Sequence, residues 1–329
     1  MKNVLDVRKL CFSYYKKPLL LKDIEFCVAE KSKTLILACS GVGKSTLLKA
    51  LSGFDDTYFG QIFYKGKDLK KIPDEEKKFS LLLSEPILVA GTVKKNLDYF
   101  CRVNKIDSLS EKQVDEVFSK FGFNAKLNDN VKKLSLVDRR IFAIIRAFLK
   151  KPNIIFLDDQ FAGLSVEESA VMEKVCNELL VSDFTIICTC GNNTLKEHFE
   201  WIKNLKFDEV LYLSNTKVSK YKNLIEFFSK HLNYDVLSFS NDYFSLNGFI
   251  IKQDGAYYFA TDDGLTLKFD KKFYDKLVML NLMEMENENV YLCSKDRSLI
   301  ENLTDSEFNV NLDKNDIWIY SSVDGERVI

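Results

Sequence analysis

Histidine is nearly missing: only His198 and His231 occur in 329 residues, which excludes histidine-rich metal or acid–base chemistry. No apolar run approaches the roughly 18 residues needed to span a bilayer, so any membrane role would come through a partner. The opening stretch, Met1 to Leu10, lacks the apolar core of a signal peptide, and a cytoplasmic location is expected. Charge of one sign is lacking too. With 47 basic against 48 acidic residues, nothing in the balance points to a nucleic-acid partner. The eight cysteines include no CxxC pair; they are scattered through apolar stretches and read as reduced core residues. Cys188 and Cys190 form a CxC, but with no second cluster they make no zinc site.

What the chain does have is enough apolar residue, 46%, for a globular protein, and a length that exceeds one ordinary core. Two domains are therefore expected. Val4 to Ile24 reads as strand, turn, strand, with Lys16-Lys17-Pro18 at the turn. Thr34 to Ala38 is a buried strand that runs into a glycine-bearing loop and a helix from Ser45 to Leu51, closed by Gly53. Residues 85–150 look mainly helical, and Ile154 to Leu157 and Phe184 to Thr189 are two further buried strands. Strands alternating with helices predict an α/β fold with a mostly parallel sheet. After about Tyr221 the texture turns to short alternating runs: Tyr243 to Ile251, Tyr257 to Thr261, Leu265 to Phe269, Val290 to Cys293 and Ile317 to Tyr320. The turn pairs Asn247-Gly248, Asp254-Gly255, Asp263-Gly264 and Asp324-Gly325 accompany them, which is an all-β signature.

The strongest motif is Ala38-Cys39-Ser40-Gly41-Val42-Gly43-Lys44-Ser45-Thr46, set between strand and helix as a P-loop requires. Gly41 and Gly43 let successive backbone N–H groups turn inward around a phosphate, and the helix aims its positive end at the same anion. Ser40 and Thr46 flank this cradle. Lys44 would reach the β- and γ-phosphates, while the Ser45 hydroxyl would ligate magnesium. Ala38 stands where the pattern has its first glycine, and the alternative reading is a turn that merely caps a helix. Downstream, Ile154 to Leu157 delivers Asp158 to a strand end as a Walker B carboxylate for magnesium, although many such Asp residues simply start loops. ATP and Mg²⁺ are the cofactors this pair implies.

With those motifs in place, residues 1–222 resemble the ATP-binding domains of ABC transporters. The family order runs aromatic loop, P-loop, Gln-loop, signature, Walker B and switch. Phe12-Ser13-Tyr14 looks like the aromatic loop, which implies that Tyr14 stacks on adenine; core packing of Tyr14, with Tyr15 in its place, is the alternative. Leu134-Ser135-Leu136-Val137-Asp138 sits where the family has Leu-Ser-Gly-Gly-Gln, making Ser135 the signature serine. Arg146-Ala147 and Lys150-Lys151-Pro152-Asn153 complete the approach to Walker B. The resemblance implies a P-loop NTPase fold with a mixed sheet and a helical subdomain at about 85–150.

The departures gather around the γ-phosphate. Leu136 and Val137 replace both signature glycines, Asp138 replaces the glutamine, and Ser84 stands at the Gln-loop position. Asp159 replaces the general-base glutamate, keeping a carboxylate about one methylene shorter, where base placement is worth roughly 10²–10⁴ in rate. Gln160 and Ser165 replace a proline and an aspartate, and family order predicts Cys190 at the switch histidine's place. Binding residues survive while hydrolysis residues do not. The family implies membrane permease subunits and a second ATPase subunit as partners, with the chain peripheral on the inner face of the membrane. Residues 223–329 are similar in placement to the small OB-like regulatory domain of maltose-type sugar-importer ATPases; an unrelated β module is the alternative. Basic and aromatic residues are not interleaved on its strands, which disfavours RNA.

Overall fold

In a computed structural model of the chain, the described residues are 2–214, 217–224 and 226–227, together with five strands between 244 and 321. The chain divides into two units, Met1–Phe227 and Phe228–Ile329.

The first unit opens with β1 (Asn3–Ser13) and β2 (Leu19–Ala29), paired antiparallel around the Lys16-Lys17-Pro18 turn. Next come β3 (Lys33–Ala38) and α1 (Lys44–Leu51), then β4 (Phe59–Tyr64), β5 (Lys67–Asp68) and β6 (Phe79–Leu82). Three helices follow: α2 (Val93–Val103), α3 (Glu111–Lys120) and α4 (Leu136–Lys150). The unit ends with β7 (Ile154–Asp158), α5 (Val166–Leu180), β8 (Thr185–Gly191), α6 (Asn192–Ile202), β9 (Glu209–Leu213) and β10 (Val218–Tyr221). Each helix of the middle segment starts on a side-chain cap that takes an otherwise orphaned amide. Thr92, Ser110 and Ser135 accept from Lys95, Gln113 and Asp138, respectively.

Two sheets result. β2-β1-β4-β5 is antiparallel, whereas β10-β9-β3-β8-β7-β6 is parallel except at its β10 edge. This is the mixed α/β architecture that alternating strands and helices predict. β3 and β7 are buried at every position, as strands covered on both faces must be. One apolar cluster joins the two sheets through α1: Leu10, Ile24 and Ile62 share it with Leu47, Leu48, Ile36 and Phe156. The P-loop helix is thereby fixed from both sides.

In the second unit, β11 (Phe244–Gln253), β12 (Ala256–Ala260), β13 (Thr266–Lys268), β14 (Asn289–Ser294) and β15 (Ile317–Ser321) form one antiparallel sheet, ordered β13-β12-β11-β14-β15. Each of the five alternating runs overlaps one of these strands. Asn247-Gly248, expected as a turn, lies inside β11, where Asn247 pairs with Tyr291 and Gly248 with Val290. Continuous pairing with β14 overrides the local turn preference of the dipeptide. The other three turn pairs lie outside the described residues.

Arg140 ties the helical segment to the parallel sheet. It is 2% exposed, yet its Nε, Nη1 and Nη2 donate to the carbonyls of Ser84, Gln160 and Ala162 at 2.9, 2.8 and 2.8 Å. Truncation would leave one buried and two part-buried carbonyls without this donor. Arg140→Ala is expected to cost roughly 3 kcal/mol or more in a denaturant titration, with Arg140→Lys recovering only part, because one ammonium cannot reach three splayed acceptors. A loss below about 1 kcal/mol would contradict this reading.

Candidate nucleotide site

The carboxyl ends of β3, β8 and β7 lie side by side, the usual place for a ligand in a parallel sheet. The register sets Ala38 against Gly191 and Thr189 against Asp158. From β3 the chain enters the loop that leads to α1. Gly41 and Gly43 take φ of 84° and 107° there, a left-handed region that a side chain disfavours. A Cβ at Gly43 would also press within 3.1 Å of Leu20, so this position is constrained twice. Gly43 is the N-cap of α1, and no side chain covers the amides of the first turn. Those amides are left to an anion.

Lys44 Nζ donates to the carbonyls of Ala38 and Cys39, both at 3.3 Å. The Tyr14 phenol lies 2.9 Å from Thr46 Oγ1, and its ring packs edge-on against Phe12. Tyr14 therefore stands over the start of α1 and is half-exposed, while Tyr15 is out in solvent. Ser40 donates twice, from its amide and its hydroxyl, to Asn192 Oδ1 at 3.1 Å each. Asp158 is buried and accepts the Thr189 hydroxyl at 2.8 Å. Asp159 Oδ2 accepts the Gly191 amide at 3.2 Å, while its Oδ1 is buried without a partner. Asp159 also has φ 46°, a backbone conformation rare for anything but Gly, Asn and Asp.

A Cβ built on Gly191 would meet Asp159 Oδ2 at 3.1 Å and Lys44 Nζ at 3.3 Å. This position therefore looks between the P-loop lysine and the carboxylate after β7. Family order predicts Cys190 in that role. The structure corrects this: strand alternation turns Cys190 inward, where its Sγ donates to the Gly191 carbonyl at 3.4 Å and burial pushes its thiol pKa well up. Cys190 instead lines an apolar cavity of about 30 Å³ with Leu157, Phe161, Cys176 and Cys188, behind Asp159.

Ser135 is not brought to this group. Its hydroxyl donates to Asp138 Oδ2 at 2.7 Å and accepts the Asp138 amide at 3.1 Å, capping α4. Ser165 likewise caps α5 in a reciprocal pair with Glu168. Gln160 pins the sheet instead of serving the ligand, donating to Leu82 O at 3.3 Å and Asp158 O at 2.9 Å. Gly191, Asn192, Thr189 and Arg140 are the residues that motif spacing does not single out. Their signal is spatial, arising from strand register.

The donors and acceptors present fit Mg-ATP: an uncapped helix start, a positive-φ loop, one ammonium and two oxygen ligands. Ser45 and Asp158 would hold the metal, Lys44 the terminal phosphates, and Tyr14 would lie towards the base. Among the described residues no cluster of His, Cys, Asp and Glu forms a separate metal site. No helix among them is long and apolar enough to cross a membrane.

Site and fold thus define a P-loop nucleotide-binding domain. Residues 21–162 match the family described as ABC transporter. The spermidine/putrescine import ATP-binding protein PotA of Mesoplasma florum is 29% identical over 167 residues, covering 50% of this chain and 47% of that protein. The PotA of Spiroplasma citri is 30% identical over 168 residues, with the same coverage. The chain thus spans about half the length of these curated relatives. Among solved structures, cbiO1 from Clostridium perfringens, part of the ABC transporter complex cbiONQ, shares the fold. Its TM-score is 0.56 at 22% identity, over 70% of this chain and 92% of that one.

Burial raises the Asp159 carboxyl pKa above the ordinary 3.8; Lys44, Thr194 and the Gly191 amide oppose the rise, and Asp158 adds to it. A carboxyl raised in the folded state penalises folding when ionised. That penalty is complete above the folded pKa and vanishes as pH falls below 3.8. Asp159→Asn is therefore expected to raise the thermal midpoint of nucleotide-free protein at neutral pH, with a gap to wild type that closes on acidification. A lower midpoint for the variant at neutral pH would contradict the burial argument.

Proposed function

We propose that this chain is the ATP-binding subunit of an ABC importer, holding Mg-ATP and coupling dimer closure to a membrane permease, with slow hydrolysis. The observation that carries this reading is the group Lys44, Asp159 and Gly191. The lysine that grips terminal phosphates faces a carboxylate, and the intervening position has no side chain to reach the γ-phosphate. Bound magnesium would supply charge neutralisation at the β- and γ-phosphates. The chain's own groups bind and orient; Asp159 is the general-base candidate, and burial raises its carboxyl pKa above the ordinary value.

The importer assignment draws support from the two relatives whose names say import. The permease subunits would dock on the helical segment between α2 and α4, and a second ATPase subunit, identical or not, would complete the dimer at the cytoplasmic face of the membrane. In such a dimer each site uses one chain's P-loop and the other's signature. This chain is weak on both sides, so any dimer containing it has both sites affected. Residues 223–329, with their five-stranded sheet, would be a regulatory OB-like domain of the maltose-importer kind.

A second reading is a nucleotide-binding protein without turnover, serving a structural or regulatory role. It is favoured by Ser135, whose hydroxyl is already committed to the Asp138 carboxylate. Titration calorimetry with Mg-ATP, run beside phosphate release, separates the readings. Binding is expected, weakened at least about tenfold by Lys44→Ala. Slow release abolished by Asp159→Asn supports the importer ATPase, and none at all supports the second reading. Absence of ATP binding would sink both.

A further inference from the structure

Ser40 opens the phosphate loop, and both of its donors are engaged. Its amide and its hydroxyl point at Asn192 Oδ1, each at 3.1 Å. The atom they meet must be the side-chain oxygen, because a backbone N–H can only donate. An amide oxygen accepting from a P-loop amide and hydroxyl occupies the acceptor role of a phosphate oxygen. Asn192 is the first residue of α6, directly after Gly191, which brings no capping side chain. Gly191 is itself bonded to Asp159 Oδ2 on the other flank of the site. The β8–α6 junction therefore bridges the phosphate loop and the carboxylate after β7.

The first turns of α6 can answer to that bridge. At His198 the helix leaves helical geometry (φ −121°, ψ 24°), so residues 192–197 form a short piece ending in a kink. His198 is buried and its Nδ1 lies 3.0 Å from Ser169 Oγ on α5. The Ser169 hydroxyl donates to the Ser165 carbonyl at 2.8 Å, so Nδ1–H is the donor to Ser169. The kink is thus anchored to the helix that follows the Asp159 loop, while the other end of the piece is anchored to Ser40.

We propose that Asn192 is a latch that competes with the terminal phosphate for Ser40, so that a triphosphate, and not a diphosphate, frees the first turns of α6 to move about His198. The proposal rests on the nucleotide-binding reading of the site. Asn192 acts through Ser40 and is a positioning residue. A ligand that ends at the β-phosphate leaves the Ser40–Asn192 bonds intact, whereas one that reaches Ser40 must replace them.

The test is equilibrium binding of Mg-AMPPNP and Mg-ADP to the full-length wild type, Asn192→Ala, Asn192→Asp and Lys44→Ala, with unfolding midpoints as a fold check. Asn192→Ala removes the competing acceptor and is expected to tighten Mg-AMPPNP by about three- to tenfold while leaving Mg-ADP within about twofold. Asn192→Asp keeps the acceptor, adds charge against the phosphate, and is expected to weaken Mg-AMPPNP selectively. Hydrogen exchange in residues 192–197 should rise with Mg-AMPPNP in the wild type and not with Mg-ADP. Equal effects of Asn192→Ala on both nucleotides, or selective weakening of Mg-AMPPNP, would overturn the latch while leaving the nucleotide site standing. No binding of either nucleotide to the wild type would overturn the site itself, and the latch with it.

Discussion

The parallel register of β3, β8 and β7 is the constraint on which the rest of the site depends. It sets Ala38 beside Gly191 and Thr189 beside Asp158, so three strand ends deliver the loop, the junction and the carboxylates to one edge. Everything chemical follows from that alignment. The Thr189 hydroxyl fixes Asp158, the Gly191 amide holds Asp159, and α1 enters from β3 with its first amides uncovered. The alignment is secured by apolar burial along β3, β7 and β8, and by Gln160 and Arg140 at the loop that follows β7. A one-residue slip would reverse which side chains face the ligand.

The residues around this edge share a pattern. Several side chains that the motif order would bring towards an outer phosphate bond within their own chain. Ser135 and Asp138 cap α4, Ser165 caps α5, Gln160 pins β6 to β7, and Cys190 packs inward. The two loop glycines take positive φ, Lys44 rests on the Ala38 carbonyl, and Asp158 accepts the Thr189 hydroxyl.

Much of this was legible in the residues alone. Continuous apolar runs mark β3, β7 and β8, and the loop from Ala38 to Thr46 declares itself by glycine spacing. The five strands of the second unit are visible from alternation, even where a dipeptide such as Asn247-Gly248 suggests a turn that sheet pairing overrides. What escapes the sequence is set by register. Cys190 and Gly191 are neighbours, and which of them faces Lys44 depends on strand pairing that no local pattern encodes. The carbonyl cage around Arg140 and the reach of Asn192 to Ser40 are likewise contacts between distant segments.

The most direct test of the account is a high-resolution structure of the protein with magnesium and a non-hydrolysable ATP analogue. Lys44 Nζ is expected to leave the Ala38 and Cys39 carbonyls for the terminal phosphates, with the metal between Ser45 and Asp158. A nucleotide bound elsewhere, or a Lys44 still held by its own loop beneath the phosphates, would contradict it.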